Sequence, residues 1–259
     1  MRKVFNFNLF SISNLYKGLL RDIESINVPK IIINQCIIMD FITKKLNFSN
    51  QTIKEMKLNS KNFYNLIKKR RSVRDFKKEN INFDIIKNAV LAAGTAPNGA
   101  NLQPWHFVII KNKSIKKKIR FAAEIEEADF YDNKAPKEWL EALKPLGTDK
   151  NKLFLEEAPY LIAIFEKKYS LKNKKKIKNY YVKESVGIAT GILISCLHFS
   201  GLSMLTHTPS PMNFLNQILK RPNNEKPFVL LVVGKPKDNC KIPVFAEKKK
   251  AFSKIITIF

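Results

Sequence analysis

The sequence predicts an α+β fold, and three features carry that expectation. Helical stretches place apolar residues at three- and four-residue steps, and four short β-branched runs punctuate them. Only 8 glycines and 12 prolines occur in 259 residues, too few for a turn-rich all-β design. Helices alternating with a few strands give the α+β class, and this length buries a substantial core.

In chain order, residues 1–48 are rich in Asn, Ile and Phe without a clear period and read as a variable N-terminal extension. Met39 offers an internal start, and the basic-then-apolar N-terminus leaves a targeting segment open. A single domain is expected over 49–259. It begins with the helical NQTIKEMKLNSKNFYNLIKKR and continues with a helix in NFDIIKNAVLAAGTA, ended by the turn chemistry of TAPNGAN. WHFVIIK (105–111) and YLIAIFE (160–166) read as strands, with one long polar helical stretch between them. NYYVKESVGIATGILISCLHFSG (179–201) is a helix too apolar all round for a surface position. It must pack in a core or against a second subunit, and its apolar run is short for a bilayer. LSMLTHT and FVLLVVGK give two further strands around the short helix MNFLNQILKR.

The net charge of +25 raises nucleic acid or a membrane surface as partners. Neither is expected. The excess is nearly all lysine, abundant together with Asn and Ile as in an AT-rich coding sequence. The runs KNKSIKKKIR and KKYSLKNKKKIK hold one tyrosine between them, short of a base-stacking platform. Cys36, Cys196 and Cys240 are odd in number and far apart, which suggests free thiols and a cytoplasmic setting. His106, His198 and His207 lack metal-ligand spacing. No GxGxxG, P-loop or GxSxG motif occurs.

Three stretches gather chemistry. KKRRSVRDF puts three of the chain's seven arginines within five residues, and arginine presents a planar fork of donors suited to phosphate. AAGTAPNGANLQPW ends a helix in a small-residue turn where backbone N–H groups can approach a ligand. EIEEADFYD (124–132) sets five acids in nine positions of a strongly basic chain. Such a cluster is ordinarily a solvated helix face.

In this order, RRSVR and the small-residue loop with QPW resemble the FMN-binding nitroreductase superfamily, and AGTAPNGA is similar to the iodotyrosine deiodinases within it. The resemblance continues through LEEAPYLIAIF, YYVKESVGIATGILISCLHFSGL, THTP, RPNNEKP and KKKAFSKIITIF. It implies a nitroreductase-like fold, with a central, mostly antiparallel sheet flanked by helices, in an intertwined homodimer. It also implies FMN at the subunit interface and reductive dehalogenation of halotyrosines. Arg70, Arg71, Ser72 and Arg74 fall where the family binds the FMN phosphate and ring edge. Pro97, Asn98 and Gly99 fall in the loop against the isoalloxazine, and Asn98 stands where the vertebrate enzymes have serine. Thr206, His207 and Thr208 form the THT segment, in which Thr208 matches the catalytic threonine that hydrogen-bonds flavin N5. Lys249 replaces a phosphate-binding arginine, keeping charge and losing the fork.

The resemblance also gives the acidic segment a role. Glu127 and Tyr131, at i and i+4, with Lys152, match a lid that grips an amino-acid zwitterion. Ala100 N–H would hold the phenolate oxygen. The electron donor is left open between NAD(P)H and a partner reductase. A general nitroreductase or quinone reductase, and a non-enzymatic basic binding protein, stay open as alternatives.

Overall fold

The computed structural model describes residues 43–259, and Thr52–Phe259 form one compact unit. The expectations for the N-terminus, the run at 30–42 and Cys36 lie outside the described residues.

A Thr52–Glu55 capping box starts α1 (Ile53–Ile67), and Asn82 caps α2 (Phe83–Ala93). Strand β1 (Trp105–Ile110) leads into α3 (Lys113–Asp129), capped by Asn112. The polar stretch that follows is not one continuous helix, as expected, but a series of short pieces. A single π turn (Phe130–Lys134) precedes α4 (Lys137–Leu143), a 3₁₀ turn (Lys144–Leu146) and the one-turn α5 (Phe154–Glu157). The chain interrupts itself here with Pro136, Pro145 and Gly147, the last in the left-handed region. β2 (Tyr160–Lys167) follows, then a hairpin, β3 (Tyr169–Lys172) and β4 (Lys175–Lys178). The long helix α6 (Val182–Phe199), β5 (Ser203–His207), α7 (Phe214–Ile218) and β6 (Glu225–Gly234) complete the order.

The hairpin is the one pair of strands that the charge of KKYSLKNKKKIK concealed. Asn173 and Lys174 both take positive φ (50° and 62°), the geometry of a two-residue hairpin turn.

The main sheet runs β1-β2-β6-β5, antiparallel throughout. Alternation along β2 divides the core in two. Leu161, Ala163 and Phe165 join Ile119, Ala123 and Leu155 on one face. Tyr160, Ile162 and Ile164 join Ile86, Ala89, Val186 and Leu193 on the other. Thus α3 covers one face, and α2 and α6 cover the opposite one. The inner stripe of α6, including Val186, Ala189, Leu193 and Leu197, is fully buried. Cys196 and Cys240 are free thiols.

Two connections position the site. The segment after α1 docks on the edge strand through a parallel bridge between Ser72 and Met204, with Val73 N–H donating to Met204 O at 3.2 Å. This lays the arginine cluster beside β5. On the same side, α3 packs against α5 and aims its C-terminus at the end of β5.

Candidate functional site

The last turns of α3 and the π turn that follows bring Glu127 and Tyr131 to one cavity of ≈300 Å³. Their four-residue spacing spans the α-to-π junction rather than one regular helix, and such wide turns recur at functional positions. Lys152 enters from the irregular segment before α5. It is 2% exposed, and its Nζ lies 3.1 Å from Glu127 Oε2. The same ammonium donates to the carbonyl of Asp149 and lies 5.6 Å from the centre of the Tyr131 ring. A buried lysine needs such partners, because desolvation of an unpaired ammonium costs several kcal/mol.

Arg74, Thr206, His207 and Thr208 line the same cavity. Thr206 and Thr208 are exposed, whereas His207 turns inward and meets the Phe154 ring edge-on at 5.6 Å. His207 Nε2 is buried with no hydrogen-bond partner. Burial, then the charges of Lys152 and Arg74, push its pKa down to about 3, so the ring is neutral at physiological pH. Burial likewise raises the Tyr131 phenol, aided by Glu127 and Asp149 and opposed by a hydrogen bond with Thr148 and by Arg74. Tyr131 is therefore a protonated donor at neutral pH. The cavity sets the carboxylates of Glu126 and Glu127, the Lys152 ammonium, the Arg74 guanidinium and the Tyr131 phenol beside the neutral, hydroxyl-bearing wall of Thr206, His207 and Thr208.

Arg74 and Leu146 also line a second cavity of ≈160 Å³, together with Arg70, Arg71, Ser72 and Lys249. Arg71 Nη1 donates to Lys68 O at 2.7 Å and Arg70 O at 2.9 Å, which fixes the guanidinium. Its buried Nε has no partner. Lys249 Nζ donates to Ala246 O at 2.6 Å. Four cations, a serine hydroxyl and an unsatisfied buried N–H make a set of donors that a phosphate monoester satisfies.

Pro97, Asn98, Gly99 and Ala100 line neither cavity within the single chain. Asn98 organises their loop, donating to Ala96 O at 3.1 Å and accepting from Gln103 N–H at 2.8 Å. Ala100, Asn101 and Gln103 all take positive φ, an uncommon concentration of strain for non-glycine residues. Gly99 packs so closely on Tyr181 and the Tyr180 carbonyl that a Cβ would lie 3.0–3.1 Å from them. Sequence reasoning missed Phe130, Trp139, Leu143 and Leu146, which also line the first cavity. Their one signal was a set of aromatic and leucine side chains within a stretch read as polar.

Residues 67–235 match the model of the nitroreductase family. The iodotyrosine deiodinase of Haliscomenobacter hydrossis is 50% identical over 198 residues, covering 76% of this chain and 89% of that protein. Iodotyrosine deiodinase 1 of Mus musculus is 41% identical over 206 residues, covering 78% and 71%. Among solved structures, an oxidised iodotyrosine deiodinase bound to FMN and 3-iodo-L-tyrosine is similar at a TM-score of 0.60. That structure shares 34% identity with this chain, over 68% of this chain and 90% of its own. The family match and these identities agree with the antiparallel sheet and the paired cavities, and the chain belongs to the nitroreductase family, in the branch of the iodotyrosine deiodinases.

Proposed function

We propose that this chain is an FMN-dependent dehalogenase of halogenated tyrosines, releasing tyrosine and halide. One observation carries the reading: Glu127, Tyr131 and Lys152 share a cavity with Thr206 and Thr208, and Arg74 links it to the basic cradle. Arg70, Arg71, Ser72, Arg74 and Lys249 would hold the FMN phosphate. When bound, FMN supplies the two electrons that, with one proton, replace a carbon–halogen bond by carbon–hydrogen and expel halide.

The chain's own groups bind and orient. Glu127 receives the substrate ammonium and Lys152 its carboxylate, so the resident 3.1 Å pair opens and each partner gains a new one. The Tyr131 hydroxyl, held protonated, donates the third bond of the clamp. Closure of Phe130, Trp139 and Leu143 over the ring excludes water and strengthens each of these contacts. Thr208 would offer its hydroxyl to flavin N5 once FMN is bound, and neutral His207 keeps that wall free of an additional charge.

The site is completed by a second copy of the chain. Pro97, Asn98, Gly99 and the Ala100 N–H would come to the flavin and the phenolate oxygen from the partner. Electrons arrive from NAD(P)H at the flavin or from a reductase, since the chain has no separate nucleotide-binding motif.

The test is an anaerobically reduced holoenzyme mixed with iodo-, bromo- and chlorotyrosine. One halide and one tyrosine per two electrons are expected. Glu127→Gln should weaken halotyrosine binding about 10- to 100-fold, the cost of a charged hydrogen bond, with FMN content unchanged. Turnover of nitroaromatics with indifference to halotyrosine would overturn the proposal in favour of a general nitroreductase.

A further inference from the structure

The clamp accounts for Glu127 but not for Glu124, which opens the same acidic segment one turn earlier. Lys152 belongs to no helix or strand, yet its position is fixed at both ends by α3. Its backbone N–H donates to Glu124 Oε1 at 2.8 Å, while its ammonium sits 3.1 Å from Glu127 Oε2. Glu124 and Glu127 stand at i and i+3, hence on one helix face. A turn further back, Arg120 places Nε 3.4 Å from Glu124 Oε1 and donates from Nη1 to Glu156 Oε2 at 2.8 Å. Lys116 then donates to the carbonyls of Glu156 and Ala158 at 3.0 and 2.6 Å. Successive turns of α3 thus hold the chain from Lys152 to Ala158.

We infer that Glu124, oriented by Arg120, is a positioning residue for recognition of the substrate's amino-acid head group. The inference rests on the zwitterion clamp proposed above. When a zwitterion enters, Glu127 must exchange Lys152 for the incoming ammonium. At that moment Lys152 loses its carboxylate partner and must present its amine to the substrate carboxylate. The Glu124 bond to its backbone survives the exchange, and a charged acceptor makes it one of the stronger ties available. Without it the lysine depends on the Asp149 carbonyl and on the short α5 turn alone. Glu124 touches neither cavity, so sequence spacing marks it only as one more surface acid.

The test compares two ligands on oxidised holoenzyme by titration calorimetry: 3-iodotyrosine, and 2-iodophenol, which has the ring and halogen but no head group. Glu124→Ala should raise the Kd of iodotyrosine about 10-fold or more, with FMN content and the iodophenol Kd unchanged. Glu124→Gln keeps an acceptor oxygen for the Lys152 N–H and should restore most of the affinity. If Glu124→Ala fails to retain FMN, Glu124→Asp, which withdraws the oxygen by one methylene, is read in the same way. Unchanged iodotyrosine binding would overturn the inference, and so would equal weakening of both ligands, which marks a general structural role. If the wild-type protein itself does not prefer iodotyrosine over iodophenol, the clamp fails, and this inference with it.

Discussion

His207 shows how a single side chain reports on the site. Strand alternation places Thr206 and Thr208 outward and sends the imidazole between them into the protein, against Phe154 and under two cations. Its folded pKa of about 3 lies far below the ordinary 6.5, so the unfolded chain takes up a proton that the folded chain refuses. The stability this neutral ring contributes is complete above pH 6.5 and is lost as pH falls from there toward 3. Between pH 6.5 and 5 most carboxylates remain ionised, so the loss there belongs mainly to histidine. Its slope approaches about 1.4 kcal/mol per pH unit for one proton. His106, also depressed by burial despite the opposing Glu225, adds a smaller share. Thermal unfolding of the wild type should therefore fall across this window, and His207→Gln should flatten most of the fall. Parallel curves for the two proteins would mean that His207 takes a proton in the folded state.

Among the elements, the lid between α3 and α5 is set apart by what holds it. No residue of α4 is buried, and Trp139 is 55% exposed while meeting Phe130 edge-on at 5.0 Å. Outside the anchored Lys152, the ion pairs that tie the lid lie at the surface, such as Asp132 with Lys150 at 3.3 Å, worth less than about 1 kcal/mol each when solvated. Few buried contacts mean a low free energy of local opening. A substrate that bridges Glu127, Tyr131 and Lys152 adds the contacts the lid lacks. Trypsin should cut first at Lys134, Lys137 or Lys150, and saturating iodotyrosine should slow that cleavage at least 10-fold. Mass spectrometry of the fragments reads both the sites and the protection; cleavage indifferent to iodotyrosine would separate lid closure from binding.

The same element marks the boundary of what the sequence discloses. Helices with a capping box or an Asn cap, and the apolar strands β2 and β6, announce themselves because local chemistry and burial agree. Spacing alone does not single out Glu127 and Tyr131, since pairs at i and i+4 are common on any helix; the resemblance to a family does. Lys152 lies in irregular chain, and only its likeness to a family singles it out. Trp139 and Leu146 reach the cavity through three short turns whose geometry no periodicity encodes. The β3–β4 hairpin was hidden by its five lysines, although the positive-φ pair Asn173–Lys174 gives it an ordinary two-residue turn.

At the scale of the whole molecule, one face of α6 has no partner among the described residues. The helix is long and apolar enough to cross a membrane by length and composition, yet its inner stripe is committed to the sheet. Outward, Ile188 is 46% exposed and Phe199 75%, and with Phe63 of α1, Gly191 and Ile192 they line a shallow apolar hollow of ≈490 Å³. A continuous apolar surface of this kind marks an interaction site. A second copy, as proposed above, would cover it and also bring the loop to the site, since Pro97–Ala100 reach neither cavity of their own chain. Electrostatics oppose that association: each chain carries +25, so the apolar contact must overcome a repulsion that salt screens. The wild type should therefore scatter light as twice its 29.9 kDa chain mass, and low ionic strength should weaken the dimer. Ile188→Lys adds charge to the lining of the hollow and should give a monomer that loses most of its FMN, while keeping the far-ultraviolet circular dichroism of the folded chain. A monomeric variant with full FMN and full dehalogenase rate would show that one chain suffices, and a dimer that persists would move the interface elsewhere. Salt separates the two terms, because screening strengthens a dimer limited by repulsion and leaves an apolar contact blocked by a buried lysine still broken.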